Sequence, residues 1–181
     1  MNICTKVAGI TAAAAGAVVL GGYLLPKETQ VSRSVDMQAS PDGVFGLIND
    51  LEKHQLWSSW KENDPTMEFH YGEKRVGEGA RYTWTSRHSG AGSVTITRSV
   101  PKKRIEVFLD FGKQGTGRGF YTIEAHNGSV TVTEGFSTYS GKSILDRYFG
   151  LFMRITLPKY FDSELGNLKE VAQKMDQLQT H

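Results

Sequence analysis

The 181 residues fit one domain of ordinary size plus a few tens of residues for a tail or anchor, which excludes a two-domain enzyme. Hydrophobic residues make up 39% of the chain and charged residues 22%, so a core can form and the body is not a disordered polyelectrolyte. Lys and Arg number 21 against 19 Asp and Glu; without Lys6 and Lys27, residues 28–181 balance at 19 against 19, which argues against a nucleic-acid binder held by a basic face.

The chain opens on an uncharged run from Val7 to Leu25, nineteen residues or about 28 Å as a helix, just enough for a bilayer core. It reads as an uncleaved signal-anchor occupying residues 1–27. A signal peptide cut within the small residues Ala12 to Ala17, or a buried Ala-rich helix, are the alternatives. Lys6 biases the short end to the cytoplasm, which would put the domain on the extracytoplasmic, periplasmic side, or secrete it if the segment is removed. Cys4 is the single cysteine, so no internal disulfide can form. The five histidines show no ligand spacing, so neither a metal nor another cofactor is expected.

Pro26 ends the apolar run, and residues 28–181 read as one domain. Val31 to Ala39 forms the first predicted strand. Ser40-Pro41-Asp42 reads as an N-cap with proline at the first helical position, opening a short helix with apolar Val44, Phe45, Leu47 and Ile48. A second short helix is predicted over Leu51 to Trp57.

From Met67 to Ser137 two-residue alternation recurs between turn signals, which predicts an antiparallel meander. Val94, Ile96 and Val100 share one face of a strand. Ile105, Val107, Leu109 and Phe111 share a face of the next, Tyr121, Ile123 and Ala125 of a third, and Val130, Val132 and Phe136 of the last. Asn127-Gly128 is a strong hairpin signal. Ser143 and Asp146 are spaced as a capping box for a terminal helix that Pro158 is expected to break or kink. Beyond it, Phe161, Leu165, Leu168, Ala172, Met175 and Leu178 form one apolar stripe.

This α+β order packs most simply as a curved antiparallel sheet around a long C-terminal helix. One helix, about 10 to 12 Å across, cannot hide the whole inner face of such a sheet, so part of that face must meet a cavity or the short helices.

The stretch from Leu51 to Trp60, with Asp64-Pro65, Tyr71-Gly72, Gly77-Glu78-Gly79-Ala80, Tyr82-Thr83-Trp84 and Gly90-Ala91-Gly92-Ser93, resembles bacterial members of the START/Bet v 1-like superfamily, also labelled SRPBCC or polyketide cyclase/dehydrase proteins. Val31 to Val35, Ala39-Ser40-Pro41 and Val44-Phe45 fit the same family's first strand and helix, so the resemblance spans about residues 31–178. It implies a helix-grip (Bet v 1-like) fold with an apolar cavity between a seven-stranded sheet and the last helix. It also implies ligands such as lipids, sterols or polyketides, and no universal catalytic residue.

Two charges interrupt apolar faces: Arg98 in register with Val94, Ile96 and Val100, and Glu134 with Val130, Val132 and Phe136. In a cavity, Arg98 would hold a ligand oxygen and Glu134 would accept a hydroxyl or act as a base; the bland reading places both near water or in a mutual pair. Trp57, Trp60, Tyr82, Trp84 and Tyr121 supply rings for a cavity mouth, against ordinary core packing, and Phe161 and Leu165 join them from the terminal helix. The glycine-rich pieces match no nucleotide fingerprint, and no serine sits in a hydrolase elbow.

Three functions follow. The leading one is non-enzymatic: binding of a hydrophobic or amphipathic small molecule, lipid-like or polyketide-like, by a domain tethered to a membrane. The second is a polyketide cyclase or dehydratase in which Arg98 polarises a carbonyl and Glu134 moves protons. The third is a protein-binding module of the cell envelope, which would expose a large apolar patch.

Overall fold

The computed structural model describes residues 16–141 and 143–179. Among these, seven strands form one antiparallel sheet in the order β1-β7-β6-β5-β4-β3-β2: β1 (Glu28–Met37), β2 (Glu68–Tyr71), β3 (Arg81–Ser86), β4 (Gly90–Val100), β5 (Arg104–Asp110), β6 (Thr116–His126) and β7 (Ser129–Tyr139). Helix α1 (Pro41–Asn49), a 3-10 turn (Lys53–Leu56) and the single-turn α2 (Trp60–Asn63) lie between β1 and β2, and α3 (Ile144–Gln179) closes the chain. This is the helix-grip arrangement.

The local chemistry explains the elements. Ser40 caps α1 by accepting from the Gly43 N–H at 3.2 Å, and its hydroxyl also donates to Asp176 Oδ1 at 2.9 Å, which ties α1 to the end of α3. Gly128 takes a positive φ of 80° in the β6–β7 turn, as the Asn-Gly pair predicts. Ser143 caps α3 by accepting from the Asp146 N–H at 3.0 Å. The first strand begins three residues earlier than its sequence signal, at Glu28, where pairing with Tyr139 extends it.

The expected second helix over 51–57 is instead a 3-10 turn at Lys53–Leu56, followed by α2. Its shape follows from anchored side chains: the Trp57 indole donates to the Leu47 carbonyl at 3.2 Å and His54 bonds the Ile48 carbonyl at 3.1 Å, pulling the segment onto α1.

Pro158 does not break the terminal helix, which runs 36 residues through it. Proline removes one bond, that to the Arg154 carbonyl. Arg154 and Ile155 are exposed, so water can take its place, while Met153, Leu157 and Phe161 hold the opposite face on the core. Of the apolar stripe, Phe161, Leu165, Leu168 and Ala172 are buried and Leu178 is exposed.

The core lies between the sheet and the helices. Val44, Leu47 and Ile48 of α1, with Leu51 and Trp57, cover the part of the sheet that α3 leaves open. Most of the expected shortfall in coverage is therefore closed by side chains, each full burial contributing about 1.5 to 3 kcal/mol.

The expected signal-anchor lies largely outside the described residues. Residues 16–24 are helical, and among the described residues no helix is long and apolar enough to cross a membrane. This helical piece packs on the start of α3: the Tyr148 hydroxyl donates to the Val18 carbonyl at 2.6 Å, and the Arg147 guanidinium donates to the Tyr23 carbonyl at 2.8 Å.

Candidate functional site

Between the sheet and α3 a cavity of about 60 Å³ remains. That is room for about four waters and well below the 300 to 1,000 Å³ of pockets that enclose drug-sized ligands. Phe69, Val94, Val107, Leu109, Gly119 and Phe136 line it from the sheet, Met153, Leu157, Tyr160 and Phe161 from α3, and Trp60 and Met67 from the segment between α1 and β2.

Its walls are largely aromatic. Trp60 lies with its ring centroid 6.2 Å from Trp84 and 6.0 Å from Tyr160. Trp84 meets Phe111 edge-on at 5.9 Å, and Phe111 meets Phe136 and Phe149 in the same way. Trp84 has its place because of Gly92, its partner on β4: a Cβ on residue 92 would fall 2.3 Å from the indole and from the Asp110 carbonyl.

The polar lining is concentrated in one cluster. Glu134 of β7 is buried, and the Tyr121 hydroxyl of β6 donates to its Oε1 at 3.0 Å. Its Oε2 is buried and takes no bond from a protein N–H or hydroxyl, and the carboxyl hydrogen-bonds with that of Glu164. Glu164 of α3, also buried, accepts from the Ser58 hydroxyl at 2.7 Å and from the Ser59 N–H at 3.3 Å, both on Oε1. The two carboxyl groups face each other closely enough to act on each other's protons.

Burial pushes the Glu134 carboxyl well above the usual carboxylate range, and the Glu164 charge pushes it further. Burial raises Glu164 as well, opposed by its bonds from Ser58, Glu134 and the Ser59 N–H. Of the two, Glu134 is therefore the carboxyl that holds a proton more firmly. Tyr121 and Tyr82 are held in the phenol form, first by burial and then by the nearby carboxylates.

His54 also lines the cavity. Burial lowers it to about 4, so the ring is neutral, and its Nε2–H donates to the Ile48 carbonyl. Trp84 Nε1 is a buried polar atom without a partner. Among the described residues, no three His, Cys, Asp or Glu side chains gather as a metal site.

Of the candidates singled out in the sequence, Trp60, Tyr82, Trp84, Tyr121, Glu134 and Phe161 border the cavity. Trp57 and Leu165 do not; both are core residues, Trp57 stacked edge-on against His54 and Tyr121. Arg98 is a correction. A bulge in β4 shifts the register between Ile96, opposite Val107, and Arg98, opposite Glu106. One extra residue turns the side chain to the outer face, where it is 62% exposed and lies 3.8 Å from Glu106. Arg98 and Glu134 thus stand on opposite faces, and the cyclase scheme that joined them fails.

Glu164 carried a signal that sequence reasoning passed over. It stands three residues after Phe161 and four before Leu168, inside the apolar stripe of α3, and so is a charge on a buried helical face.

The family model described as "Polyketide cyclase / dehydrase and lipid transport" matches residues 28–173. Among curated proteins none matches. Similar solved structures include protein CV1439 from Chromobacterium violaceum, at 14% identity and TM-score 0.54, covering 80% of this chain and 97% of that one. The Aha1 dimer from Colwellia psychrerythraea is similar at 12% identity and TM-score 0.55, with 80% and 96% covered. The di-domain ARO/CYC StfQ from the steffimycin biosynthetic pathway is similar at 12% identity and TM-score 0.61, covering 82% of this chain and 52% of that one. At these identities the likeness concerns the fold alone.

Proposed function

The chain belongs to the Polyketide cyclase / dehydrase and lipid transport family, and on that premise we propose that it binds a mostly apolar small molecule between its sheet and α3, with one polar end of the ligand at the Glu134–Glu164 cluster. The observation that carries this reading is an aromatic hollow holding a buried indole N–H without a partner, Trp84 Nε1, and two buried carboxyls that share a proton with no cation beside them, Glu134 and Glu164. An orphaned buried polar group costs about 1 to 3 kcal/mol, which a ligand oxygen at Trp84 would recover.

At about 60 Å³ the empty cavity admits only a small group. A ligand of lipid or polyketide size requires outward movement of Met153, Leu157, Tyr160 or Trp60, side chains contributed by α3 and the one-turn α2 rather than by the sheet. The unbranched Met153 is the least costly of these to rearrange.

Membrane tethering belongs to the same proposal. Val18, Leu20, Tyr23 and Leu24 are exposed, residues 18 and 23 bond Tyr148 and Arg147 of α3, and α3 itself exposes Leu145, Phe152 and Ile155. This apolar surface continues the uncharged run 7–25, and a tether on the extracytoplasmic side would hold the cavity where apolar ligands partition.

The test is titration of the full chain with the neutral fluorophore N-phenyl-1-naphthylamine. One saturable site, emptied by competition with 1-hexanol, is expected. Non-saturable binding, or binding that 1-hexanol leaves unchanged, contradicts the reading.

A further inference from the structure

We propose that the cavity's ligand carries a protonated amine on its apolar body, with the ammonium group seated between Glu134 and Glu164. This rests on the cavity reading above and specifies its chemistry.

Three observations converge. First, the carboxyl pair has no cationic counterpart: none of the cavity-lining residues is Lys or Arg. Arg33 stands opposite Glu134 on β1, but its guanidinium is paired with Asp162 at 3.3 Å, and both side chains are solvent-exposed. The other titratable groups around Glu134 are Tyr121 on β6, Tyr82 on β3, His54 on the 3-10 turn and Glu164 on α3. None supplies a positive charge, His54 being neutral by burial.

Second, the protein's own donors are spent on one oxygen of each acid. Tyr121 bonds Glu134 Oε1, while Ser58 and the Ser59 N–H bond Glu164 Oε1. Glu134 Oε2, on a residue 4% exposed, takes no further protein N–H or hydroxyl donor, and the two acids are left to share a proton with each other. An ammonium group offers three N–H donors and can bridge two carboxyl groups at once.

Third, the walls suit an apolar body: Trp60, Trp84 and Tyr160 line the cavity with aromatic rings, whereas a carboxylate ligand would meet like charge at the pair. A neutral alcohol would leave the buried acidity of the pair uncompensated.

Proton linkage supplies the test. The ammonium group favours the ionised pair, so its binding expels the proton that Glu134 holds, and its affinity rises with pH while the free pair is still protonated. An alcohol expels none. Hexylamine, 1-hexanol and hexanoate are titrated calorimetrically into the full chain at about pH 6 and about pH 8, in two buffers of different ionisation enthalpy.

Hexylamine is expected to bind at least about tenfold more tightly than 1-hexanol, with proton release and higher affinity at the upper pH, and hexanoate not to bind. Glu134→Gln should abolish the proton release and most of the preference for hexylamine over 1-hexanol. Binding of 1-hexanol as tight as or tighter than hexylamine, or amine binding without proton release, overturns the amine inference and leaves the cavity reading standing. If neither hexylamine nor 1-hexanol binds, both readings fall.

Discussion

Tyr121 and Glu134 stand directly opposite each other on neighbouring strands, and the phenol donates to the carboxyl Oε1 at 3.0 Å while the same carboxyl bonds that of Glu164. A pair placed so deeply would fill its space more cheaply with two apolar side chains of the same size. That the sheet holds an acid here, facing a second acid on α3, is what the proposed ligand contact would account for.

Replacing the acid should stabilise the fold. Glu134 has its proton affinity raised on folding, so its contribution to stability is complete below the ordinary carboxylate range and is lost as pH rises above it. Glu134→Gln keeps the acceptor for Tyr121 and cannot ionise. It is expected to be more stable than the parent by about 1 to 3 kcal/mol at about pH 8, with the gap shrinking toward about pH 4, as read by urea unfolding across pH.

His54 works in the opposite direction. Folding lowers it from 6.5 to about 4, so between these values the unfolded chain binds the extra proton and stability falls as pH falls. The loss amounts to about 3 kcal/mol over that window. Subtracting the pH profile of His54→Gln from that of the parent isolates this slope; a flat difference would refute the buried neutral ring.

Gly92 has no room for a side chain. Its Cβ position is occupied by the Trp84 ring and approached by the Asp110 backbone, so Gly92→Ala must push the indole into the cavity or part β4 from β5. A loss of about 1 to 3 kcal/mol in thermal unfolding is expected, together with weaker ligand binding.

Arg98→Ala should change little. The side chain is exposed and its partner Glu106 is already held by Arg104 at 2.7 Å, so the stability change is expected within about 0.5 kcal/mol and ligand affinity unchanged. A marked loss of binding would restore Arg98 to the site.

Much of the architecture was legible in the sequence because one face of each central strand is dry. Ile105 with Val107, Tyr121 with Ile123, and Val130 with Val132 point inward as their alternation predicts, and Asn127-Gly128 and Ser143 act as turn and cap. Alternation also exposed Glu134 as an outlier. The same rule misplaced Arg98, because a bulge inserts one residue and nothing in the residue types around Thr97 announces it. Glu164 needed the helical period to be applied to charges as well as to apolar residues. The near-closure of the hollow depends on Leu51 and Trp57 folding back over α1, a tertiary arrangement that no periodicity encodes.

The most direct measurement follows the side-chain N–H resonances of Trp60 and Trp84 while 1-hexanol is added to the full chain and to a Met153→Phe variant that fills the cavity. Saturable shifts at both indoles in the parent, with Trp57 moving less and the variant unresponsive though folded by circular dichroism, are the predicted result. Unmoved indoles in the parent, or equal shifts in parent and filled variant, would contradict a ligand site between the sheet and α3.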